Sequence, residues 1–259
     1  GGGVCGVSGS CYGGHMPAVP LLLSEYSGGV HYPSSDGKPM AENTLQYEWI
    51  VKLKGNLDQL LPEAFVAGDL LWYPVPGDNR TCRAPDVLVA LQRPKGHRSS
   101  FRQWEEGSRP PEVVIEVLSP SNTFPDRVDK LRFYEEHGVL EFIELDPDNQ
   151  RLSVFERRGE RLVGDPVAES WTSPLLGVRF QVLPEAIEVY GPDGARFLEF
   201  GELAARSKEN EMRAEAEKQR AEAEKQRAEA EKQRADDAEQ RAAQLTARLR
   251  ALGIDPEAP

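Results

Sequence analysis

Cysteine is scarce in this chain. Three cysteines in 259 residues leave no disulfide framework to hold a fold together. Cys5 and Cys11 fall in a glycine-rich head, Gly1 to Gly14, so Cys82 stands alone in the body of the sequence. That usage predicts a reducing, cytoplasmic setting. Histidine is scarce too: His15, His31, His97 and His137 show no metal-ligand spacing, which excludes a histidine-built zinc site. The nucleophile elbow GxSxG and the P-loop lysine motif are both missing, which removes the corresponding hydrolase and nucleotide-binding readings. No apolar stretch is long enough to span a bilayer, so the sequence predicts a soluble protein with no membrane partner. Positive charge is in deficit, with a net charge of −12, and a uniformly acidic surface repels nucleic acid.

What is present begins with a carboxylate in a costly place. Glu112-Val113-Val114-Ile115-Glu116-Val117-Leu118 reads as a buried central strand, apolar inside except for Glu116. An ionised side chain there must pair or bind a metal. A second acid, Asp86, follows Pro85 and opens the run Asp86-Val87-Leu88-Val89-Ala90-Leu91. Lys130 lies a short way beyond the Glu116 strand. Two strand-borne acids and one lysine point to metal-assisted cleavage of a phosphodiester: Asp86, Glu116 and the Val117 carbonyl supply hard oxygen ligands for Mg²⁺ or Mn²⁺, and Lys130 orients water or offsets phosphate charge. A structural ion pair is the plainer alternative for a lone buried glutamate.

The charge is uneven in a way that bears on this reading. Between Gln92 and Arg109 stand Arg93, Lys95, Arg98, Arg102 and Arg109 against only Glu105 and Glu106. A basic rim around an acidic centre suits a nuclease, with Arg93, Lys95, Arg98 and Arg102 as nucleic-acid contacts; an ordinary charged loop fits the segment equally well.

Along the chain, residues 1–15 read as a tag or processing remnant ending at His15-Met16, and residues 16–42 as a flexible lead-in rich in Pro, Ser and Gly. Asn43 or Thr44 caps a helix running to about Leu61, whose apolar face holds Ile50, Leu53, Leu57, Leu60 and Leu61. Gln46 lies on that face and is a candidate supporting group, or else a first-turn residue at the edge of the core. Phe65 to Tyr73 reads as a strand carrying Asp69, a second candidate supporting group whose alternative is a hairpin-edge acid. Pro74 to Arg83 is turn-rich. Thr123 starts a helix with capping-box spacing that ends at Gly138. On it Lys130 shares a face with Phe133, Tyr134 and His137, and Val128 and Leu131 lie across from them; if the aromatic face packs on the sheet, Lys130 points inward. Strands follow at about Leu140–Leu145, Leu152–Phe155, Val178–Leu183, Ile187–Tyr190 and Phe197–Phe200. The order predicts an α/β fold of the mixed-sheet, α+β kind rather than a doubly wound one.

The composition then changes. Ala-Glu-Ala-Glu-Lys-Gln-Arg stands three times, at 214–220, 221–227 and 228–234. The period of seven repeats one helix face, and 203–252 reads as a charged heptad helix or coiled coil roughly 70 Å long, followed by a tail at 253–259. The seam is poor in apolar residues: alanine alternates with Glu217, Glu224 and Glu231 until Leu245, Leu249 and Leu252. A self-association arm and a solvated single helix are both open for 214–234, and association is favoured near the leucines.

Ala84-Pro85-Asp86-Val87, Glu116-Val117-Leu118-Ser119-Pro120, Lys130 with Phe133-Tyr134, and Gly138-Val139 through Asp146-Pro147 resemble the Uma-two family of restriction-endonuclease-type proteins, placed in the PD-(D/E)XK nuclease superfamily. The similarity covers about residues 43–200, and includes Ala67-Gly68-Asp69-Leu70 and the Pro192-Asp193-Gly194 turn. It implies a restriction-endonuclease-like core over 43–202, metal binding by Asp86 and Glu116, and Lys130 as a lysine migrated from strand to helix. Leu118, where the superfamily pattern has its lysine, is the departure. The resulting expectation is a Mg²⁺-dependent endonuclease acting on DNA and self-associating through its tail. The alternative is a catalytically weak nuclease-fold module for nucleic-acid binding or assembly.

Overall fold

Alternating and continuous apolar runs fold into one mixed sheet with a helix on each face. The computed structural model describes residues 26–251 except Lys38. The expectations for residues 1–15, for the first part of the lead-in, for Leu252 and for the tail lie outside the described residues. In chain order the elements are β1 (Tyr26–Ser27), β2 (Val30–His31), α1 (Thr44–Leu60), β3 (Ala64–Gly68), β4 (Trp72–Tyr73), β5 (Val87–Leu91), β6 (Phe101–Arg102), β7 (Val113–Val117), α2 (Phe124–Glu136), β8 (Glu141–Asp146), β9 (Arg151–Arg158), β10 (Arg161–Pro166), β11 (Ser170–Thr172), β12 (Arg179–Val182), β13 (Ile187–Tyr190) and α3 (Phe200–Ala251).

The main sheet has six strands in the order β10-β9-β8-β7-β5-β3. Only β7 and β8 run parallel, and α2 makes the crossover between them. Side chains on β7 alternate between the two faces. Val113, Ile115 and Val117 join Ile50, Leu53 and Leu57 of α1 in one apolar core, which β12 and β13 close with Phe180, Ile187 and Val189. Val114 points the other way, into a second core with Tyr134 of α2, Trp72, Leu88, Phe101 and Phe142. Strands covered on both faces explain the unbroken apolar runs at β5 and β7.

Both helices start where the sequence places caps. The Asn43 side chain accepts from the Gln46 N–H, and Thr123 with Asp126 closes a capping box behind a proline. Gly138, at φ +94°, ends α2.

Several expectations need correction. Phe65–Tyr73 is not one strand: Asp69 sits at φ +49°, in the left-handed region, and the chain breaks there between β3 and β4. β4 then leaves the main sheet to pair in parallel with β6. The lead-in is folded in part, since β1 and β2 form a hairpin and Tyr32 is buried against Tyr73. Phe197 is buried but no strand forms at 197–200; a single bridge, Tyr190 to Arg196, stands there. The hairpin of β9 and β10 is hard to see in the sequence because its turn, Gly159-Glu160, is flanked by arginines and β10 contains both Gly164 and Pro166. β10 is an edge strand, the place where a sheet tolerates proline.

The chain divides into two units, one ending at Phe200 and one beginning at Gly201. The second is helical, exposed throughout 214–234, and about 80 Å long at 1.5 Å per residue. Among the described residues no helix is long and apolar enough to cross a membrane.

Candidate active site

Sheet register alone brings the two acids together. β5 and β7 pair antiparallel with Val87 opposite Ile115 and Leu88 opposite Val114, so one step further Asp86 lies opposite Glu116. Alternation puts both on the face covered by α2. Asp86 is 7% exposed and Glu116 is 1% exposed. The Val117 N–H donates to Asp86 Oδ2 at 2.7 Å, which locks the aspartate to the neighbouring strand. The Val117 carbonyl accepts from Gln46 Nε2 at 2.9 Å, and Gln46 Oε1 accepts from the Glu42 N–H at 2.9 Å. The first turn of α1 is thereby tied to the end of β7.

The other half of the site comes from α2. Lys130 and Tyr134 are one helical turn apart and reach the same carboxylate. Lys130 Nζ donates to Glu116 Oε2 at 2.7 Å, and the Tyr134 hydroxyl donates to Glu116 Oε1. Trp72 holds this turn of α2 from behind, with its ring 5.3 Å from Phe133 and stacked on Tyr134 at 6.2 Å. The aromatic face therefore packs inward and Lys130 points at the paired acids, the first of the two orientations open from sequence.

Charge is crowded here. Burial first, and then the Glu116 charge, push Asp86 up to about 8, against the opposing pull of Lys130 and the Val117 N–H. Burial works against the Lys130 cation, yet Glu116 and Asp86 outweigh it and its pKa rises. Burial and the Glu116 charge hold the Tyr134 hydroxyl well above its ordinary range, so it remains a donor. Asp69 stands at the rim: its N–H donates to the Pro85 and Asp86 carbonyls at 3.1 and 3.3 Å, and burial, Asp36 and Glu116 raise its carboxyl.

The structure thus joins Gln46, Asp86, Glu116, Val117 and Lys130 in one cluster of contacts, with Asp69 at its edge. It does not bring the basic loop there as a free rim: its four cations are each paired with an acid of the fold. Arg93 is buried and bound to Glu112 at 2.6 Å. Arg102 is buried and paired with Glu105. Arg98 pairs with Glu106 and covers the Phe65 ring. Lys95 pairs with Asp58 at 2.6 Å. A stretch of like charge in sequence says nothing about the acids that folding sets against it.

Sequence reasoning missed three groups. Tyr134 reads in sequence as part of an apolar face rather than as a donor to Glu116. Glu144 pairs with Glu116 across β7 and β8, is 3% exposed, and is held by Arg127 at 2.6 Å; an acid inside the apolar run Phe142-Ile143-Glu144-Leu145 is the same signal that identifies Glu116. Glu42 accepts from the Ser119 and Ser121 hydroxyls, which lowers its pKa. No sequence spacing links Glu42 to that loop.

Among the described residues no three or more His, Cys, Asp or Glu side chains converge as a metal site. What the pocket offers a cation is two carboxylates and one carbonyl. Those are hard oxygen donors suited to Mg²⁺ or Mn²⁺. Two acids share one lysine, and the proton that Asp86 holds up to about pH 8 marks negative charge left uncompensated. The donor set therefore fits a divalent ion.

A family model described as "Uma2: Putative restriction endonuclease" matches residues 22–184. A crystal structure of a "putative nuclease" from Anabaena variabilis aligns over 59% of this chain and 82% of its own, at 17% identity and a TM-score of 0.42. No curated protein matches the chain.

Proposed function

The chain belongs to the Uma2 family of putative restriction endonucleases, and from that premise we propose that it is a metal-dependent endonuclease that hydrolyses phosphodiester bonds in DNA. The observation that carries the reading is the meeting of Asp86, Glu116 and Lys130 at the end of β7, with Lys130 Nζ 2.7 Å from Glu116. Asp86 and Glu116, with the Val117 carbonyl, would hold Mg²⁺ or Mn²⁺. Such an ion activates water and neutralises the phosphate in the transition state. Lys130 would place a cation beside the reacting phosphate and could donate to a water or phosphoryl oxygen. Tyr134 fixes the Glu116 rotamer by its hydroxyl. Gln46 fixes the Val117 carbonyl, and with it the end of β7. Ordering these groups before substrate arrives lowers the reorganisation needed at the moment of reaction.

Nicking of supercoiled plasmid tests this. Expected is cleavage with Mg²⁺ or Mn²⁺, none with EDTA, and a loss of about a hundredfold or more in Glu116→Gln and Lys130→Met with unchanged folding. Absence of cleavage of DNA and RNA across several divalent metals would overturn it.

A second reading has its own support. Leu118, 7% exposed and apolar, fills the position where the superfamily carries its lysine. On this reading the unit up to Phe200 binds nucleic acid with weak or no catalysis, and α3 carries assembly. Its self-association would be concentrated near Leu245, which is 61% exposed. Catalysis that survives removal of α3 separates the two.

A further inference from the structure

Arg93, Lys95, Arg98 and Arg102 are each bound to an acid of the same fold, which directs attention to cations without such a bond. Arg83 lies three residues before Asp86, and its backbone is pinned. It forms an antiparallel bridge with Trp72, the two N–H groups donating to each other's carbonyls at 2.7 and 3.2 Å. Trp72 is the fully buried ring that backs Phe133 and Tyr134. The Arg83 guanidinium consequently sits 5.9 Å from the ring of Phe133, a residue of the same helix as Lys130. Its field reaches Lys130, Tyr134 and Asp126.

The side chain is exposed, and among the described residues no hydrogen bond or ion pair engages its guanidinium. A cation on a pinned backbone, close to a second cation and with Asp126 only within range of its field rather than bonded to it, is arranged for an external anion. The planar fork of arginine matches two oxygens of one phosphate. We propose that Arg83 grips a backbone phosphate adjacent to the bond that Asp86, Glu116 and Lys130 address, so that the nucleic acid crosses the Phe133 face of α2. The proposal rests on the nuclease reading above. It identifies a binding residue rather than a member of the reacting group, and it replaces the loop of residues 92–109 as the point of entry.

The test is duplex DNA binding by fluorescence anisotropy, with the full chain in the Glu116→Gln background, from 50 to 200 mM salt. Arg83→Ala is expected to weaken binding about five- to tenfold and to lower the slope of log Kd against log salt by about 0.9, the loss of one phosphate contact. Arg83→Lys keeps the charge and loses the fork; it should keep the slope and lose part of the affinity. Lys95→Ala removes a charge that Asp58 already neutralises and should leave the slope unchanged. Melting temperatures confirm that each variant is folded. If the parent binds DNA and Arg83→Ala matches it in affinity and slope, the role of Arg83 is overturned and the nuclease reading stands. That role is equally overturned if Lys95→Ala lowers the slope as much, because the effect is then general charge. If the parent binds no nucleic acid, both fall.

Discussion

At Asp86 the fold accepts an electrostatic cost for which packing gives no return. The carboxyl is buried against Glu116, and its pKa of about 8 in the folded chain lies far above the ordinary 3.8 that it regains on unfolding. The folded protein therefore keeps a proton that the unfolded chain releases. Below about pH 4 both states hold it and the penalty is absent; between about 4 and 8 stability falls as pH rises, by at most about 1.4 kcal/mol per unit for one proton; above about 8 the slope ends. In EDTA, the melting temperature should fall from pH 5 to pH 8 in the native protein and change less in Asp86→Asn. Equal slopes in the two proteins would remove Asp86 as the source. A divalent cation should reduce the same slope, because it takes the place of that proton. Tyr134→Phe asks a narrower question: it leaves Glu116 Oε1 buried without its donor, which should cost about 1–3 kcal/mol of stability by chemical denaturation. It should also slow cleavage about tenfold through a mobile Glu116.

At the scale of elements, one strand pairing and one helix turn make the site, and both are vulnerable to single atoms. A Cβ at Gly164 of β10 would lie 1.7 Å from the Val154 carbonyl oxygen of β9, and no side-chain motion relieves a clash with backbone. Gly164→Ala should therefore destabilise by about 1–3 kcal/mol or more, read as a lower melting temperature with the cleavage rate per folded molecule preserved. The same scale shows what was legible. α1 and α2 announced themselves through Asn43, Thr123 and Asp126, since caps are local chemistry. β5 and β7 were legible as unbroken Val/Ile/Leu runs, and Glu116 by its dissonance within one. Lys130 became legible because its helix face also carries Phe133 and Tyr134. What stayed hidden is long-range. The break at Asp69 is a backbone torsion that an aspartate seldom adopts. The pairing of Arg93 with Glu112 and of Lys95 with Asp58 joins residues that nothing in the spacing connects. Arg83 stayed hidden because its place beside the Phe133 ring follows from the bridge to Trp72, which no spacing displays.

For the whole molecule the question is how a chain of net charge −12 would engage a polyanion and what α3 would contribute. Each of the three repeats carries two Glu against one Lys and one Arg, so 214–234 is neutral overall. In a parallel coiled coil the positions flanking the seam, Lys218, Lys225 and Lys232 against Arg220, Arg227 and Arg234, would set like charges across the interface. On that reading 214–234 would be a spacer, with any association confined to the segment around Leu245. Truncation after Phe200 should preserve metal-dependent cleavage and abolish whatever dimer sedimentation detects in the full chain. Loss of cleavage in a truncated protein that still melts cooperatively would assign the chemistry to the assembly instead.

All of this turns on whether Asp86 and Glu116 hold a divalent ion together. Anomalous diffraction from crystals soaked in Mn²⁺ reads that directly. Expected is a peak within coordination reach of oxygens from both carboxylates, about 2–2.5 Å away, with Lys130 Nζ beside it. An empty pocket under saturating Mn²⁺, with Lys130 still closing on Glu116, would contradict it.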